Sequence, residues 1–129
     1  KSLFNVDGTK RKNGYAMIKI YHNSRCRKSR EGLQMIQESN QPYVIFDYIS
    51  NPLTANELKE IITILDIPPI DLIRKNEAIW KSDFKGKKLS DQQLIDAMAK
   101  HPKLIERPIV IHNNKGVIGR PKDRILEVL

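Results

Sequence analysis

A single cysteine, Cys26, stands in 129 residues, which excludes an internal disulfide and any chemistry that needs two thiols within the chain. The three histidines show no ligand spacing with cysteine, aspartate or glutamate, so no metal is expected. No apolar run approaches the ~20 residues that span a bilayer; the longest, at 43–46 and 109–111, are strand-sized. The first sixteen residues lack the apolar centre of a secretory signal. A cytoplasmic, reducing setting without membrane contact is therefore expected. The phosphate-cradling pattern G-x-x-x-x-G-K-[ST], the dinucleotide pattern G-x-G-x-x-G and the nucleophile elbow G-x-S-x-G are all missing. A phosphatase-type loop would place an arginine six residues after the cysteine, and Gly32 stands there instead.

What is present suits one packed domain. Apolar residues make up 40% and charged residues 29%, enough to bury a core and too little net polarity for general disorder. The formal net charge of +8 turns attention to anionic partners. Part of that excess is local: residues 1–16 carry Lys1, Lys10, Arg11 and Lys12 against Asp7. This segment reads as a basic leader, a flexible end or a remnant of expression, with a nucleic-acid arm as the other option. Met17 would make a natural start. Residues 17–129 are read as a single domain, and neither a membrane nor nucleic acid is an expected partner.

Along the domain, residues 18–21 alternate as a strand, and a polar loop at 22–26 enters a helical pattern that Asn23 or Ser24 can cap and that carries Leu33 and Ile36. Residues 43–48 (YVIFDY) are nearly continuous in apolar and aromatic side chains, as a parallel strand covered on both faces would be. Two capping boxes follow, Thr54–Glu57 and Ser90–Gln93, each opening an apolar-faced helix. A short helical segment is expected at 70–76 and a basic loop at 85–88. Residues 109–111 and 117–118 flank a turn, a hairpin signature, and Pro121 suits the first turn of a closing helix with Ile125, Leu126 and Leu129. The order βαβ, helices, ββα is that of a thioredoxin-like α/β fold with a helical insertion at about 53–103.

Cys26 lies where the first strand hands over to the first helix, so the free N–H groups and positive end of that helix favour a thiolate. Arg25, Arg27, Lys28 and Arg30 flank it, and all these influences pull the thiol below its usual range near ~8.5. His22, four residues upstream, is either an exposed loop histidine or a source of positive charge and hydrogen bonding. Ser29, one turn downstream, is either a plain surface serine or a donor to the sulfur. Residues 26–29 (CRKS) resemble a C-x-x-C redox motif with serine replacing the second cysteine.

Four blocks together, 18–29 (IKIYHNSRCRKS), 72–76 (LIRKN), 104–110 (LIERPIV) and 119–121 (GRP), resemble the glutaredoxin-coupled arsenate reductases in order and separation. The resemblance covers 17–129. It implies a thioredoxin-like core with Cys26 as nucleophile, and Arg74, Arg107 and Arg120 around an arsenate-like oxyanion. It also implies glutathione as co-substrate, no bound cofactor, and glutaredoxin to clear a mixed disulfide. Arginine suits the task because its planar fork holds two oxygens and stays charged. Ser24 departs from the family, which often has proline there, as does the Arg27-Lys28 pair. Thioredoxin-like folds place a cis proline at the start of the third strand, so the Arg107–Pro108 bond is expected to be cis. The other functions that fit are a general glutathione-dependent thiol reductase of the same fold and a Spx-type regulator binding RNA polymerase.

Overall fold

The computed structural model describes residues 17–129, so the basic leader 1–16 lies outside the described residues. The described chain forms two compact units. One comprises residues 17–47 together with Arg107–Leu129; the other is Tyr48–Glu106.

In the first unit, β1 (Ile18–His22), α1 (Arg27–Glu38) and β2 (Tyr43–Asp47) make a βαβ unit, followed after the second unit by β3 (Ile109–His112) and β4 (Lys115–Ile118). The sheet order is β2-β1-β3-β4. β2 runs parallel to β1, β3 antiparallel to β1, and β4 antiparallel to β3. This is the thioredoxin-like arrangement expected from the sequence. Ile18, Ile20, Ile36, Val110, Val117, Ile125 and Val128 form its core. Asn113 and Asn114, both at positive φ, make the two-residue hairpin turn, a backbone state that asparagine tolerates better than most residues.

Gly32 is where α1 meets the rest of the unit. A Cβ there would come 2.7 Å from Cγ of Pro108 and 3.0 Å from Cδ1 of Ile125, so the absent side chain sets how closely the helix lies on the start of β3. The position that would hold arginine in a phosphatase-type loop is thus taken up by a close approach of helix and proline ring.

Several expectations are corrected here. β2 is parallel to β1 as expected, but it is an edge strand and is not covered on both faces: none of its residues is fully buried and Ile45 is 42% exposed. Its pairing is reinforced by Tyr21 stacked on Phe46 with ring centroids 5.1 Å apart. β1 extends to His22, which is buried rather than looped out. The cap of α1 is Cys26 itself, not Asn23 or Ser24. The closing segment Lys122–Glu127 is a 3-10 helix that buries Ile125 and leaves Leu126 61% exposed. Arg107–Pro108 is cis as expected, and Arg120–Pro121, which the sequence did not suggest, is cis as well.

The second unit holds α2 (Ala55–Leu65) and α3 (Asp91–Lys100), with 3-10 turns at Pro69–Leu72 and Pro102–Leu104 and a π-helical turn at Trp80–Phe84. Both capping boxes form as read, Thr54 with Glu57 and Ser90 with Gln93. The apolar faces bury Leu58, Ile61, Ile62, Leu94, Ile95 and Met98. The helical segment expected at 70–76 stops at Leu72, because Ile73 pairs across an antiparallel bridge with Ile105.

Candidate active site

The parallel run of β1 and β2 and the antiparallel run of β3 put four chain ends at one end of the sheet. His22 closes β1 opposite Asp47 at the end of β2, while Tyr21 faces Ile109, the first residue of β3. Arg107 precedes β3 and Arg120 follows β4, joined by the Gly119 N–H donating to the Pro108 carbonyl at 2.8 Å. The chain leaving β1 turns through Asn23, whose side-chain oxygen accepts from the Arg25 N–H at 3.0 Å, and whose carbonyl accepts from the Cys26 N–H at 2.9 Å. Two local hydrogen bonds therefore deliver the cysteine to the N-cap of α1.

An N-cap side chain ordinarily accepts from the N–H groups two and three residues on, which the helix leaves without partners. At Cys26 those groups belong to Lys28 and Ser29. No side-chain cap bond of ordinary geometry closes on the sulfur, yet burial, which pushes the thiol up, is outweighed. The Arg107 guanidinium, donating a hydrogen bond and adding its charge, and the Ser29 and Lys28 N–H groups hold Cys26 below its usual range. Arg107 is itself buried.

Three of the four cations beside the cysteine in sequence have other partners. Arg27 and Lys28 pair with Glu31 at 3.2 and 3.8 Å, and Arg30 donates to the Ser24 carbonyl at 2.9 Å. The guanidinium that acts on the sulfur thus comes from the far end of the sequence.

His22 Nδ1 lies 2.7 Å from Ser29 Oγ, which also accepts from the Asn23 N–H at 3.0 Å. Both His22 and Ser29 are buried. Burial, aided by the Arg30 charge, lowers the His22 pKa, while the Asp47 charge and the contact with Ser29 oppose that fall. At neutral pH His22 is mainly an uncharged hydrogen-bonding partner of Ser29. The serine thus faces the sulfur with its N–H and the histidine with its hydroxyl.

Of the residues singled out in the sequence, Cys26, His22, Ser29, Arg107 and Arg120 lie in the first unit. Arg74 belongs to the second, where its N–H donates to the Leu104 carbonyl at 2.7 Å and its Nε stands 3.5 Å from Glu77. Sequence reasoning missed Asn23 as the residue that forms the turn and Asp47 as a neighbour of His22. No sequence signal marked Asp47: the strands read as 18–21 and 43–48, and only the observed ends at His22 and Asp47 put those two residues in register.

At 41% identity, 115 residues match the uncharacterized protein YfgD of Escherichia coli, over 87% of this chain and 96% of that one. An arsenate reductase of Haemophilus influenzae is 38% identical over 85% of this chain and 97% of its own. Among solved structures, an arsenate reductase from Vibrio cholerae superposes with a TM-score of 0.83 at 36% identity, over 88% of this chain and 98% of that one. The family description that matches, ArsC family, takes in residues 21–128, from the end of β1 through the cysteine cap and both arginine–proline pairs, and the chain belongs to the ArsC family.

Proposed function

We propose that this protein is an arsenate reductase that uses Cys26 as nucleophile and glutathione as reductant. The observation that carries the reading is the Cys26 thiol at the N-cap of α1, held toward its thiolate by Arg107, in a chain similar to proteins named arsenate reductases. Arsenate at neutral pH is an anion, and a thiolate approaches it only where cations neutralise its oxygens. Arg107 and Arg120 supply that charge at the end of the sheet.

Cys26 Sγ displaces one arsenate oxygen, which leaves as water after protonation, and an S–As bond forms. Glutathione thiolate attacks that Cys26 sulfur; the S–As electron pair goes to arsenic, which departs as arsenite. The two sulfurs remain as a Cys26–glutathione disulfide, so both electrons are accounted for. The chain offers no second thiol, and an external one must therefore resolve the disulfide. Glutaredoxin with further glutathione fits that step, in a reducing cytoplasm. Glutathione enters as a co-substrate, without a resident cofactor.

The test is arsenate-dependent NADPH oxidation coupled through glutathione, glutaredoxin and glutathione reductase. Turnover that disappears in Cys26→Ser supports the reading. Glutathione-linked disulfide reduction without arsenate turnover would instead make the protein a general thiol reductase.

A further inference from the structure

We infer that Asp47 is a positioning residue that governs the protonation of His22 and, through Ser29, the reactivity of Cys26. The inference deepens the proposed function and rests on its assignment of Cys26 as the reacting thiol.

Ser29 Oγ has one proton to give and two lone pairs to offer. One lone pair takes the Asn23 N–H at 3.0 Å. What happens at His22 Nδ1, 2.7 Å away, then depends on the histidine. With Nδ1 bare, the serine proton is spent on the imidazole. With Nδ1 protonated, the imidazole donates to the second lone pair and the serine proton is released. The released hydroxyl sits in the first turn of α1, three residues after Cys26 and on the residue whose N–H already faces the sulfur. Where the neutral ring carries its proton on Nε2, protonation of His22 adds a positive charge and frees a donor, and both changes favour the thiolate; in the other tautomer the charge alone acts.

The groups acting on His22 come from each neighbouring element. From α1, Arg30 opposes the imidazolium and Ser29 accepts from it. From the turn, Asn23 fixes Ser29. From β2, Asp47 pairs with His22 across the parallel ladder, where directly paired residues share a face of the sheet; it is the acid in this set. From the segment before β3, Arg107 acts on Cys26. Asp47 therefore decides how much imidazolium survives burial.

The test is the full chain with Asp47→Asn, a substitution that keeps size and removes charge. The His22 ring is followed by NMR through a pH titration and assigned with His22→Gln; the thiol is followed by its iodoacetamide rate across the same range. The expected result is a lower His22 midpoint in Asp47→Asn. Alkylation should slow by about two- to fivefold on the acid side of neutrality, the range of one partly exposed charge pair, with no change on the alkaline side, where His22 is neutral in both proteins. In the His22→Gln background the Asp47→Asn effect should vanish. An unchanged His22 midpoint would overturn the inference, as would an alkylation change uniform across pH or one that persists without His22. Neither readout involves arsenate, so failure of the relay and failure of the proposed activity are separable.

Discussion

Arg107 reaches Cys26 with a hydrogen bond and a charge, so removing it should act on the thiol and on the oxyanion separately. In Arg107→Ala the alkylation midpoint of Cys26 should rise toward that of an ordinary thiol. Arsenate turnover should fall by about 10²–10³-fold, the usual cost of one preorganised oxyanion donor. Steady-state kinetics beside an iodoacetamide pH profile reads both effects, and equal losses in the two would mean that Arg107 serves the thiol alone. The same shifts bear on stability. Cys26 and His22 both have lowered pKa values when folded, so between folded and unfolded midpoints the unfolded chain binds more protons and stability rises with pH. For His22 that contribution is complete above about pH 6.5, its ordinary value, and is lost as pH falls through the lower folded midpoint. Urea unfolding at stepped pH should show a loss below neutrality that is smaller in His22→Gln.

The elements show which information is local. Capping boxes were legible because donor and acceptor lie three residues apart, as at Thr54 and Glu57; Thr54→Ala should cost about 1 kcal/mol, measurable as a lower denaturant midpoint. The hairpin was legible for the same reason, although its turn was read as 113–116 and is confined to Asn113 and Asn114, β4 resuming at Lys115. The edge position of β2 was not, because strand order is settled by what packs where, and an apolar run such as 43–46 reads alike at an edge and in a centre. The cysteine cap of α1 was half legible: the sequence placed Cys26 at the helix start but credited its cationic neighbours with the work of Arg107, which no spacing rule could bring from the other half of the chain. Gly32 was legible only as the absence of an arginine. Its role is the 2.7 Å approach to Pro108, and Gly32→Ala should destabilise by about 1–3 kcal/mol through overpacking, although alanine is the better helix former. A denaturant midpoint equal to or above that of the parent would show that α1 can shift to make room.

At the scale of the molecule, the central strands β1 and β3 carry side chains with no exposure, Ile18, Ile20, Ile109 and Val110, while β2 and β4 form the sheet edges. Native-state hydrogen exchange should accordingly be slowest in β1 and β3 and faster in β2, where one side of the ladder has no neighbouring strand among the described residues. Equal protection across the four strands would mean that the sheet opens as one piece.

The first unit is interrupted in sequence by the whole of Tyr48–Glu106, and this has a bearing on how the protein is made. A ribosome releases the chain from its N-terminus, so Cys26 emerges long before Arg107, the strand it precedes, or Gly119 exists. Until then the thiol has its helix but not its guanidinium, and β1 lacks its antiparallel partner. The charge that acts on the sulfur is thus added only after the whole of the second unit has been synthesised.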